Sequence, residues 1–134
     1  MMENTNWLAV IAATIVAFVI GGAYYGALAK PWMKASRIDP SQPMKMTPAL
    51  IATSLGMEFI MALMTSGVLF HLYAGAATLR QGLIAGFLLW LGFVVPTLSI
   101  NQRYEGYGWD LTLIDAGHWL LVLLAIGGTI TLIG

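Results

Sequence analysis

The sequence predicts an all-α integral membrane bundle of four transmembrane helices, and three observations carry that expectation. Four apolar stretches of about twenty residues, each ended by a polar break, fill most of the 134 residues, and about twenty apolar residues are what a helix needs to cross a hydrocarbon core about 30 Å thick. The composition is 59% hydrophobic and 9% charged, against roughly 25% charged in a soluble domain, and the mean hydropathy is +0.82. The longest polar segment, residues 30–46, is too short to fold alone. A single membrane domain over 1–134 is therefore expected, with spans at about 7–29, 47–72, 80–101 and 110–133, and any chemistry has to sit among the helices.

The first span opens near Trp7 and should end at Lys30-Pro31, where proline cannot continue a helix and lysine can reach the headgroups. Ala27-Leu28-Ala29 before Lys30 has the small-residue look of a signal-peptidase site, but Glu3 and the lack of lysine or arginine ahead of the apolar run argue against a cleaved leader. Thr47-Pro48 is a helix-opening pair for the second span. The short connection between Leu72 and Leu79 should make spans two and three antiparallel neighbours. Pro96 should kink the third span in its later third. Gly106 and Gly108 make the next turn, and Asp110 is the expected N-cap of the fourth span.

Lysine and arginine set the orientation. Lys30, Lys34, Arg37, Lys45 and Arg103 flank one face and Arg80 alone the other, which places both termini outside the cytoplasm and the loops after spans one and three inside. Depth follows from the rise of about 1.5 Å per residue: Glu58 lies about 16 Å along span two, near mid-bilayer, and Asp115 and His118 about 8 and 12 Å along span four. Asp115 and His118 are three apart and share a helix face. Asn101, Tyr24 and Tyr25 fall at the inner ends of spans three and one, so polar groups from all four spans converge on the cytoplasmic half. Ionisable residues at such depth are costly and mark functional sites by default.

Each group also has a plainer reading. Glu58 can serve as interhelical hydrogen-bonding glue, and Asp115 with His118 as a set of bonds near a helix end. Arg103 and Glu105 read as ordinary interfacial charges, and Tyr24, Tyr25, Trp32 and Trp109 as belt aromatics. Spacing argues against a di-iron site or a bis-histidine haem within one chain and leaves single-histidine ligation, or a site shared between protomers, open. A di-iron bundle needs two Glu-x-x-His motifs, and the chain offers one Asp-x-x-His. His71 lies about 36 Å along span two and His118 about 12 Å along span four, too far apart for one haem. No metal site is expected and no cofactor is identified. With no cysteine there are no disulfides or thiolate sites, and zero net charge gives no sign of nucleic-acid binding.

Gly22-x-x-x-Gly26 and Gly82-x-x-x-Gly86 are small-residue pairs of the kind that let membrane helices approach closely, within one chain or between copies. Gly22, Gly26, Gly82 and Gly86 are therefore the expected packing positions.

Several segments together resemble a known family. Asn6-Trp7-Leu8-Ala9-Val10, Gly21-Gly22-Ala23-Tyr24-Tyr25-Gly26, Leu89-Trp90-Leu91-Gly92-Phe93, and Tyr104-Glu105-Gly106 leading to Leu113-Ile114-Asp115-Ala116-Gly117-His118-Trp119 are similar to the bacterial membrane family catalogued as domain of unknown function 1761. The resemblance spans almost the whole chain. It implies a small four-span protein of a bacterial inner membrane and brings no activity, ligand or catalytic residue with it.

The expected function is binding or translocation of a proton, ion or small polar molecule. Glu58 is the buried acid, Asp115 and His118 are a relay nearer the surface, and Asn101, Tyr24 and Tyr25 border the path. Histidine exchanges protons near neutral pH. The alternative is a non-catalytic accessory or assembly subunit of a larger membrane complex, with methionines and glycines packed on a partner chain. An enzyme is the third reading, with Asp115, His118 and Glu58 doing acid-base work on a lipid-soluble substrate, and it ranks last because no nucleophile or cofactor motif is present. Lipid is the surrounding partner in either case.

Overall fold

The computed structural model describes residues 4–134, so Glu3 lies outside the described residues. These form helices and no strand. The elements are α1 (Trp7–Ala27), α2 (Ala29–Ala35), α3 (Pro48–Tyr73), α4 (Leu79–Leu89), a π turn (Trp90–Val94), α5 (Val95–Tyr104) and α6 (Trp109–Ile133). α4, the π turn and α5 run on as one rod, and with α1, α3 and α6 this makes four helices long and apolar enough to cross a membrane.

The helix ends follow local chemistry. Asn6 opens α1 by accepting the Ala9 amide at 3.1 Å, and Thr47 opens α3 by accepting the Leu50 amide at 3.2 Å with Pro48 in the first turn. Thr78 and Gln81 form a reciprocal capping box at the start of α4. α1 breaks before the expected Lys30-Pro31: Leu28 leaves helical geometry at φ −104° and ψ 22°. Pro31 instead falls in the first turn of α2, where a missing amide costs nothing. Asp110 is not the N-cap of α6. Gly108 holds that position, and Asp110, inside the first turn, accepts the Leu111 amide at 2.9 Å.

The distortion expected at Pro96 appears one turn earlier. The Val95 amide bonds to the Trp90 carbonyl, five residues back, and the helix widens over Trp90–Val94. Proline offers no amide to the carbonyl four residues before it, and a π turn absorbs that mismatch without breaking the rod.

α6 is the hub. It packs along α1 on one side and α4 on the other and meets α3 more lightly, while α1 also packs along α3. α3 and α4 touch only slightly, contrary to the neighbour pairing expected from their short connection. The reason lies in α4. A Cβ on Gly82 would overlap the Gly127 carbonyl and one on Gly86 the Leu123 carbonyl, so bare backbone lets α4 settle onto α6. Between α3 and the π turn the bundle stays open, as a 330 Å³ gap bordered by Met61, Phe93, Thr97 and Trp119.

The expected Gly22-x-x-x-Gly26 pair does not pack: a Cβ on either glycine would meet nothing within 4 Å. The α1 stripe in use is Ala9, Ala13 and Ala17, all fully buried, continued at the same spacing of four by Gly21. Around it Val10 of α1, Ala62 and Leu69 of α3, and Val122, Ile126 and Ile130 of α6 form the core. Lipid tails are as apolar as these side chains, so close van der Waals packing is what favours this interior.

Candidate functional site

Gly21 of α1 faces both Glu58 of α3 and His118 of α6. A Cβ there would lie 3.1 Å from His118 Nε2 and 3.9 Å from Glu58 Oε1, so the absence of a side chain lets the two functional groups share one space. Glu58 and His118 are each 4% exposed. Glu58 Oε2 and both ring nitrogens of His118 have no hydrogen-bond partner. A buried polar group without a partner costs on the order of 1–3 kcal/mol, and two such groups side by side call for a functional explanation.

Tyr25 closes the space from α1. Its ring lies 4.7 Å from the His118 ring, centroid to centroid, and its hydroxyl donates to Asp115 Oδ1 at 2.6 Å. Tyr24 donates to the Ile114 carbonyl at 2.6 Å and fits because residue 117 is glycine, whose Cβ would stand 2.7 Å from the phenol oxygen. The two tyrosines therefore turn their hydroxyls onto α6 rather than serving only as interfacial aromatics. Trp90 of the π turn reaches α6 in the same way, donating to the Ala116 carbonyl at 2.7 Å.

Asp115 is the end of a directional chain. Arg103 Nη2 donates to Thr112 Oγ1 at 2.5 Å, Thr112 donates to Gln102 Oε1 at 2.6 Å, and Gln102 Nε2 donates to Asp115 Oδ2 at 2.8 Å. Bonds aligned in this way polarise one another. Arg103 also donates to the carbonyls of Tyr107 and Gly108 and stacks 3.9 Å above the Trp109 ring. It is thus folded into the bundle end and is not a free interfacial charge. Arg37, at φ 61°, donates to the Gly106 carbonyl at 2.6 Å and ties the first loop to the third.

Of the residues expected at the site, Glu58, His118, Tyr24, Tyr25 and Asp115 come together and Asn101 does not. Asn101 is exposed, and its neighbour Gln102 is the buried residue. Gln102, Thr112 and Gly21 escaped the sequence reading. The spacing of four from Ala9 to Gly21 was the available sign for Gly21, whereas the inward turn of Gln102 depends on the π turn.

Two grooves meet at this cluster. The inner one, about 550 Å³, runs between α1, α3 and α6 from Glu58 and His118 past Gly22, Gly26 and Met57. The outer one, about 570 Å³, lies under the first loop between Trp32, Met44, Lys45 and Asp115. Tyr25, Met46 and Trp119 border both. Such volumes are in the range of small-molecule sites, about 300–1,000 Å³.

The profile of a family described as "Protein of unknown function (DUF1761)" matches residues 8–131, nearly the whole chain. No curated protein matches it, and no solved structure does.

Proposed function

The chain belongs to the protein family of unknown function DUF1761, and from its geometry we propose that it binds or translocates a proton, an ion or a small polar molecule through the pocket at Glu58. The carrying observation is that Glu58 and His118, both buried, have unpartnered polar atoms beside a groove. Glu58 is the buried acid of the path. His118 is its neighbour across Gly21, and Asp115 is the outer acid, joined to the path through Tyr25. Tyr24 fixes α1 against α6, and Gln102 takes the place assigned to Asn101. The protein sits in a bacterial inner membrane with both termini outside the cytoplasm, so that the pocket occupies the cytoplasmic half. It assembles as a homo-oligomer or within a larger membrane complex. Burial of Glu58 by its own chain supports a pocket over an accessory subunit, whose acid would face a partner.

The test is flux across liposomes holding the purified protein, followed with a pH dye and with ion-selective dyes. Glu58→Gln and His118→Ala should abolish the flux or the ligand binding seen with the parent. Variants that behave like the parent across candidate ions and pH would end the proposal.

A further inference from the structure

The inner groove has a one-sided chemistry. Its deep end holds Glu58 and His118, while Phe18, Met57 and Trp119 make apolar walls. Its rim is formed by Gly22 and Gly26 on α1 and Thr53 and Met57 on α3, all exposed and all on membrane-spanning helices. The opening therefore faces along the bundle flank, toward acyl chains. An ion entering this way would lose its hydration between mostly apolar walls, where Tyr25, Thr53 and Ser54 are the polar residues besides Glu58 and His118. A mainly apolar molecule with one neutral polar end would not.

The polar end can be specified. Glu58 Oε2 and the two His118 nitrogens lack partners, and a neutral imidazole has one donor and one acceptor nitrogen. A hydroxyl both donates and accepts, and carries no charge to be desolvated. We infer that the inner groove binds a lipid-soluble alcohol, aliphatic or phenolic, with its hydroxyl between Glu58 and His118 and its apolar body along Phe18, Met57 and Trp119, entering from the bilayer past Gly22 and Gly26. This rests on the pocket reading above for the site, and adds a lipid-soluble alcohol, entering from the bilayer, to the proton, ion or small polar molecule proposed there.

The experiment uses the full chain in lipid nanodiscs and follows quenching of tryptophan fluorescence by four probes: a brominated long-chain alcohol, a brominated alkylphenol, and the methyl ether of each. Trp119 borders the groove and is the expected reporter. One or both hydroxyl probes should quench saturably, at least about tenfold tighter than the corresponding ether, the scale of one lost hydrogen bond. Which of the two binds tells whether the natural ligand is aliphatic or phenolic. Gly22→Phe fills the rim, where a Cβ meets nothing within 4 Å, and should abolish saturable quenching with circular dichroism unchanged. Glu58→Met, similar in size and without hydrogen bonds, should bring alcohol and ether to equal affinity.

Equal binding of alcohol and ether by the parent, or saturable quenching that survives Gly22→Phe, overturns the inference. So does the absence of binding by either hydroxyl probe. Flux through liposomes free of added alcohol then separates the two ideas. Flux that depends on Glu58 without alcohol binding leaves the pocket reading standing and removes this one, and loss of both removes both.

Discussion

Tyr25 serves two partners on α6 at once: its ring lies 4.7 Å from the ring of His118, and its hydroxyl donates to Asp115 at 2.6 Å. The buried histidine and the outer acid are thereby coupled through one side chain of α1. Tyr25→Phe separates the two roles, since it keeps the ring and removes the bond. It should lower stability by about 1 kcal/mol, the usual net value of one hydrogen bond. Tyr25→Ala, which also uncovers His118, should cost about 3 kcal/mol. Equilibrium unfolding in mixed micelles would report both, and equal losses would show that the ring contributes nothing beyond its hydroxyl.

Glycines that look alike in sequence should behave differently. Gly82→Ala sets a methyl against the Gly127 carbonyl and 2.6 Å from Thr131 Cγ2, so α4 must lift from α6, at a cost of about 1–3 kcal/mol. Gly22→Ala and Gly26→Ala meet open space and should gain up to about 1 kcal/mol from helix propensity. Thermal unfolding of the three variants checks the order; a stabilised Gly82→Ala would contradict the described seat of α4.

Thr112→Val should destabilise the protein by about 1–3 kcal/mol, because it removes the hydroxyl between Arg103 and Gln102 and takes from the buried Gln102 Oε1 the donor it accepts from. The exposed Asn101 is the control: Asn101→Ala should fall within about 0.5 kcal/mol of the parent. A chemical denaturation series on both would test the chain of bonds, and the prediction fails if the two variants are equally stable.

Asp39 lies in the first loop, where its carboxylate accepts the Ser41 amide at 2.9 Å. The backbone and side-chain bonds from Ser41 hold its carboxyl below the ordinary value of 3.8. A lowered folded value means that the ionised form favours the turn, so the contribution is present above the unfolded value and is lost as pH falls through the folded one. An NMR titration of Asp39 should find its midpoint below 3.8. Ser41→Pro, lacking the amide, should raise it.

Depth was legible in the sequence and direction was not. Rise per residue is the same in every helix, so counting from Thr47 and Asp110 was enough to bring Glu58, Asp115 and His118 to compatible levels. Which side a residue faces depends on every turn before it. In an unbroken helix Gln102 would stand about 200° around the axis from Gly82, nearly opposite the face that meets α6. The extra residue of the π turn takes back about 100° and brings Gln102 to Asp115 in place of Asn101. Pro96 announced a distortion without saying that it would be a phase shift. Likewise Gly22 and Gly26 carried the familiar spacing, but Ala9, Ala13, Ala17 and Gly21 lie on the face toward the other helices, and only the packed bundle decides between two adjacent stripes.

The third span leans on α6 and leaves most of its surface to the bilayer: 6% of its most apolar stretch is buried, against 44% for α6. Mechanically it is a beam seated on α6 at Gly82 and Gly86 and pinned to it again by Trp90, Gln102 and Arg103. A change in bilayer thickness loads such a beam at a cost of fractions of a kcal/mol per Å. Gln102 stands beyond the π turn and holds Asp115, so any load on this span would reach that acid through a single hydrogen bond.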